Sequence, residues 1–468
     1  MSLLATFGTS DGSGHYTLPT WIDGLFFHLH WSDIDYSISS GHYVFNDAVG
    51  TPPCGMLGAN VPTNPQAIFD LLTPGSAPPK LSFGIEAGVS TPTASSSMNT
   101  NAPVVMVGPL ETPVTDQVRS GYFYASQPAG DSTDCDQLPI TWDTEGSSNA
   151  FATEYDAVVS DFVSYLASSG VGRWRDVRII KILGINEHTI EIGMNTSDTA
   201  AAVPGTPCAA GAAYTYTTVT GQTVHPASDP PQEIWQKEGF YTSGVSNADA
   251  TVGTVWNNIV SGIISIPMVN TALMGANPTI ILSTSVINSN SFPFSGSGQQ
   301  AQDQEYMEGL IGRLLMSPVN LPANEVAVQF DALGECEPEP LDSPPTSEAY
   351  NYCPDNSGPD YHYQIVCNEN TSAGTLIGWQ TNNYGNSNNN PASTCGAEND
   401  KTAACQPPAR YKAMLDNGIG NGATFLEVWS TDAANAQYHP NQTFPAVQTS
   451  LQQTPYYTMC RVANGGSD

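Results

Sequence analysis

One pattern governs this chain: a short run rich in Val, Ile, Leu and Phe recurs along it, and several of these runs are preceded by a stretch with apolar residues at helical spacing. The runs are "LFFHLHWSDID" (25–35), "PKLSFGIEAGVSTP" (79–92), "VRIIKILGINE" (177–187), "PTIILSTSVINS" (278–289), "EVAVQFDALGE" (325–335), "GTLIGWQTNNY" (374–384) and "ATFLEVWSTDAAN" (423–435). "LLATFG" (3–8) supplies an eighth. Helical spacing appears in 154–169, 252–266 and 408–419. Near-continuous apolar runs suit strands covered on both faces, as parallel sheets require, and strands alternating with helices predict a parallel sheet. Eight such units predict a closed α/β structure, a (β/α)8 TIM barrel. The rival, an open doubly wound sheet, would carry a glycine-rich phosphate turn after its first strand, and none occurs. The remaining length lies in loops that follow strands, at 93–150, 195–250, 287–302 and 336–373, so the long loops are expected at the C-terminal face. No repeat or linker marks a second unit, and residues 1–468 are read as a single barrel domain.

Charge narrows the choice of partner. Against 44 acidic residues stand only 12 Lys plus Arg, a formal net charge of −32. Phosphate backbones and anionic membrane surfaces both need cationic partners, so nucleic acid and membrane binding are not expected. A neutral, hydroxyl-rich ligand such as a carbohydrate meets no such barrier. No apolar run reaches bilayer length, so no membrane insertion is expected. Of nine cysteines none forms a CxxC pair, and five fall between 336 and 405 in a segment dense in Asn, Ser, Pro and Gly. That crowding predicts a Cys-rich loop insertion tied by disulfides, and hence a secreted, extracellular or periplasmic protein.

Each run ends in polar side chains. These are Trp31-Ser32-Asp33, Glu86, Asn186-Glu187, Ser285, Asp331 with Glu335, Gln380-Thr381-Asn382, and Glu427-Val428-Trp429. A single strand-end acid is more often a solvated or capping residue than a functional one. Several in register at one rim point to glycoside hydrolysis, which needs one carboxyl group to protonate the leaving oxygen and a second to attack or activate water. Amides hold sugar hydroxyls and Trp faces stack on pyranose rings. His28 and His30 alternate on one strand, but no third ligand accompanies them, so hydrogen bonding is favoured over a metal. No metal or cofactor is implied. Trp142, like Trp235 and Tyr384, is either a sugar platform or local packing.

The run ending in Asn186-Glu187 resembles strand four of the glycoside hydrolase clan A barrels, the β-galactosidase-like and cellulase-like superfamily. "HLHWSDID" with the following "GHYVFND" is similar to their second strand, "LPITWD" (138–143) resembles a substrate-loop element, and Trp429 matches their sugar-stacking Trp on strand eight. The resemblance implies Glu187 as general acid/base and Asn186 as a ligand of the 2-hydroxyl. It implies substrate contacts from Trp31, Glu86, Trp142, Glu335, Gln380, Asn382 and Trp429. The sequence departs from the family at strand seven, where Gln380 stands in place of the nucleophilic Glu. Glu427 on strand eight is the favoured second carboxylate, followed by Glu335 and Glu86. The expected activity is an extracellular O-glycoside hydrolase acting on a neutral oligo- or polysaccharide. The alternative is a catalytically silent barrel that binds glycans or serves as a surface or assembly protein.

Overall fold

A computed structural model describes residues 8–30, 69, 72, 79–86, 122–126, 135–139, 150–182, 191–192, 215–218, 221–239, 257–275, 278–286, 320–333, 374–381, 415–416, 418–419, 422–428 and 440–452. Its centre is a parallel sheet of seven principal strands: β1 (Gly24–His30), β2 (Lys80–Glu86), β3 (Val177–Lys181), β4 (Ile281–Val286), β5 (Val326–Leu333), β6 (Leu376–Thr381) and β7 (Phe425–Glu427). Each strand pairs in parallel with its neighbours in the sequence, giving the spatial order β7-β6-β5-β4-β3-β2-β1. The seven occupy positions two to eight of the eightfold pattern, and "LLATFG" lies outside the described residues except for Gly8.

The sheet curls into a nearly closed barrel, with its two terminal strands approached by one side chain. The Lys181 ammonium on β3 lies 4.4 Å from the centre of the Phe26 ring on β1 and 2.7 Å from Glu427 Oε2 on β7. One side chain thus touches both terminal strands from inside, as only a barrel permits. A second clasp lies outside. Helix α3 (Pro440–Gln452) stacks Phe444 on Trp21 at 4.8 Å, and Gln448 Nε2 donates to Thr20 O and Asp23 Oδ1 ahead of β1. The chain is an α/β TIM barrel.

The helices cover the outer face. In α1 (Ala150–Ala167) the buried residues Ala152, Tyr155, Val158, Val159, Phe162, Val163 and Leu166 recur at helical spacing and form one stripe. That stripe lies on β2: Phe162 meets Phe83 edge-on at 4.9 Å, and the Tyr155 hydroxyl donates to Ile85 O. Gly172, at φ 62°, turns the chain back towards β3 in a conformation that side chains disfavour.

Three local features depart from the sequence reading. Residues 257–265 are helical and a second helix, α2 (Pro267–Met274), follows them before β4. Proline at its first position starts that helix, in a stretch that carried no assignment between the helical spacing of 252–266 and the run at 278–289. Within the loop 93–150, Tyr122–Ser126 and Cys135–Pro139 pair as an antiparallel hairpin. The third departure concerns the pairing beyond β3, whose described strand ends at Lys181. Lys181 pairs with Ser283, but the next interior position on β4, Ser285, pairs with Glu191. Residues 183–190, which carry Asn186 and Glu187, lie outside the described residues. Of the Cys-rich segment 336–405, only 374–381 is described, so the expected disulfides lie outside the described residues.

Candidate active site

Inside the barrel the side chains form layers whose polarity changes along the axis. Ile281, Ala327 and Leu376 form a buried apolar layer with Phe425 packed against them. Gly378 leaves room for that ring, since a Cβ there would overlap Phe425. Two residues further along the same strands, on the same face, the layer becomes Ser283, Gln329, Gly378 and Glu427, joined by Lys181 from β3. Gln380 lies one step higher as the Cα partner of Glu427. The polar layer is on the C-terminal side of the apolar one, where barrels of this type build their sites.

Glu427 organises the polar layer. Its Oε2 accepts two hydrogen bonds, from Lys181 Nζ at 2.7 Å and from Gln329 Nε2 at 2.9 Å. The Lys181 side chain is fully buried and that of Glu427 is 12% exposed. A buried ammonium with an opposite charge in contact and an aromatic face beside it is compensated, whereas either charge alone would not be. The second oxygen, Glu427 Oε1, is buried and has no hydrogen-bond partner. Nor does Gln380 Oε1, on a side chain that is 8% exposed, nor Ser283 Oγ. Three unpartnered polar atoms on the inner face of one barrel end are unusual, because buried polar groups are nearly always satisfied by protein or water. The arrangement can receive hydrogen-bond donors.

The expected site residues divide into three groups. Glu427 and Gln380 are brought together on adjacent strands. Glu86 ends β2, whose C-terminal end belongs to the same rim, with His30 of β1 as its pairing partner. Glu187, Asn186, Trp31, Trp142, Glu335, Asn382 and Trp429 lie outside the described residues. Sequence reasoning missed Lys181, Gln329 and Ser283. The signal for the first was a lone lysine interrupting "IIKIL", a run otherwise suited to burial on both faces. Among the described residues, no three His, Cys, Asp or Glu side chains cluster as a metal site, and no helix is long and apolar enough to cross a membrane.

Acids with strongly raised pKa values sit elsewhere. Burial pushes Glu325 up to about 7, just ahead of β5 at the N-terminal end of the barrel. Asp176, also raised by burial, precedes β3 at that same end, near Arg173. Burial pushes Asp156, on α1 outside the barrel, up to about 8. Perturbed carboxyls often mark active sites, but in a barrel the N-terminal end and the outer helices serve stability.

No protein-family model matches the chain, and no curated protein matches its sequence. Among solved structures, the crystal structure of the catalytic domain of beta-amylase from Paenibacillus polymyxa is similar, with 10% sequence identity and a TM-score of 0.41. The similarity covers 83% of this chain and 84% of that one.

Proposed function

We propose that this protein is a secreted or periplasmic O-glycoside hydrolase acting on a neutral oligo- or polysaccharide, with Glu187 as general acid/base and Glu427 as the second carboxylate. The polar layer around Glu427 carries the reading: a carboxylate with one oxygen held and the other unpartnered, at the barrel end where such folds do chemistry. A charge-paired carboxylate suits a base or nucleophile rather than an acid, so protonation of the leaving oxygen falls to Glu187. Asn186, Gln380 and Asn382 would hold hydroxyls, Trp31, Trp142 and Trp429 would stack on sugar rings, and Glu86 and Glu335 would line the cleft.

Turnover of a panel of 4-nitrophenyl glycosides and unsubstituted oligosaccharides tests this. Glu427→Gln should lower kcat by about 10²–10⁴-fold, the usual contribution of a positioned acid or base. Glu187→Gln should cost as much on oligosaccharides and far less on nitrophenyl glycosides, whose leaving group departs without a proton. Full activity in either variant on oligosaccharides would remove that residue from the mechanism.

The Lys181 ion pair favours a second reading, in which Glu427 is structural and the barrel binds glycans without cleaving them. Under that reading no glycoside is cleaved, and Glu427→Gln lowers stability while glycan retention on an affinity gel persists.

A further inference from the structure

The few cations of this chain are not spread among its acids. Lys80, Arg173, Arg175 and Arg178 share one small area at the N-terminal end of the barrel, although the whole sequence holds only 12 Lys plus Arg. Lys80 opens β2, and residues 173–178 lead into β3. The two strands are neighbours: Leu81 pairs with Val177 and Ser82 with Ile179, so Arg178 is the extra residue of a bulge. Arg178 Nη1 donates to Arg175 O at 2.8 Å and to Val177 O at 2.7 Å, which ties that guanidinium to the turn before β3. Lys80 and Arg175 are exposed there.

One carboxyl has to serve all four. Asp176 is buried, its Oδ2 stands 3.6 Å from Arg173 Nη1, and that oxygen accepts no hydrogen bond. Burial raises its pKa in spite of the four cations around it. Arg173 also lies over the Phe69 ring, 5.5 Å from its centre. Asp23, whose carbonyl accepts from Lys80 N, receives Gln448 Nε2 at its own carboxylate. Burial, and then repulsion by Arg178, hold the Lys80 ammonium below its ordinary value. Cations that served only to offset a net charge of −32 would sit among acids rather than beside one another.

We infer that Lys80, Arg175 and Arg178 bind a small free oxyanion of the phosphate or sulfate type between the N-terminal ends of β2 and β3. The charge of the rest of the molecule sets the size of the ligand. The attraction of the cluster is felt within a Debye length, ~8 Å in physiological salt. A long polyanion extends beyond that distance over an acidic protein and is repelled, whereas a single ion is not. A tetrahedral oxyanion also offers several acceptors at once to guanidinium and ammonium donors. The site lies at the opposite end of the barrel from Glu427 and does not rest on the hydrolase reading.

Calorimetric titration of the wild-type chain with sodium phosphate, and separately with sodium sulfate, tests the inference, with ionic strength held constant by sodium chloride. One saturable site is expected. Because the ion binds the folded chain, the thermal midpoint should rise by on the order of 2 °C and then level off. Lys80→Gln combined with Arg175→Gln removes two exposed donors and should weaken binding by about tenfold or more, the usual scale of a charge-assisted hydrogen bond. A midpoint that climbs without levelling off, equally in both proteins, is the general effect of such salts and would overturn the site. The absence of a saturable response in both heat and midpoint would do the same. Heparin, a polyanion, should bind more weakly than free phosphate, and tighter binding of heparin would overturn the small-ion assignment.

Discussion

At the scale of single residues, the barrel interior depends on a charge pair that neither partner can leave alone. Lys181→Met would strand Glu427 in a buried layer with one neutral donor, a loss of about 3–5 kcal/mol by the usual cost of breaking a buried pair. The double variant Lys181→Met with Glu427→Leu should regain most of that loss, because a buried ion pair often does no better than apolar groups of similar volume. Urea unfolding of the two single variants and the double variant measures the coupling. Additive losses would mean that the two charges are not an energetic unit. Glu427 was legible in the sequence, since an acid closing an apolar strand stands out. Lys181 was not, because the strand sequence shows only that it is flanked by isoleucines. What makes it tolerable is a carboxylate 246 positions away and a ring on another strand. Only closure of the sheet brings those together.

At the scale of elements, closure rests on contacts between the two ends of the chain. Phe444 is buried and stacks on Trp21, so Phe444→Ala removes the face of α3 that covers the entrance to β1. A loss of about 3 kcal/mol is expected from a buried Phe truncation, read as a lower midpoint in thermal or urea unfolding. An unchanged midpoint would show that α3 does not help close the barrel. The strands themselves were legible because parallel strands covered on both faces read as apolar runs of characteristic length. The pairing beyond β3 was not: Ser285 on β4 pairs with Glu191, which the spacing of "IIKILGINE" does not announce. The hairpin at 122–139 was missed for a different reason: Pro128 and Gly130-Asp131 signal a turn between "YFYAS" and "CDQLP", but "CDQLP" carries too little apolar or β-branched character to read as a strand.

At the scale of the whole molecule, the excess of acids gives stability a definite pH dependence. A formal charge of −32 repels itself in any compact state, and that repulsion grows as carboxylates ionise. Two buried acids add a specific effect of the same sign. Asp156 and Glu325 titrate in the folded chain at about 8 and about 7, against 3.8 and 4.5 as ordinary values. Between those limits the folded state keeps protons that the unfolded state has released, so stability falls as pH rises through the window. The geometry around Asp156 explains the direction. Its carboxyl packs on Gly262 of the helical segment 257–265, where even a Cβ would collide with it, and its Oδ1 is buried without a partner. Burial is the cause of its shift. Asp156→Asn keeps the shape and removes the ionisation. Thermal unfolding should therefore show the wild type more stable at about pH 5 than at about pH 8, with the variant flatter between them and its advantage over the wild type growing as pH rises. The two proteins should converge only as pH falls below the ordinary value of 3.8, where Asp156 is protonated in the unfolded chain as well. Melting profiles that stayed parallel across the range would mean that Asp156 is ionised or solvated in the fold. The remaining slope of the variant would then belong to Glu325 and the net charge, which added salt separates by screening exposed charges and leaving the buried carboxyl untouched.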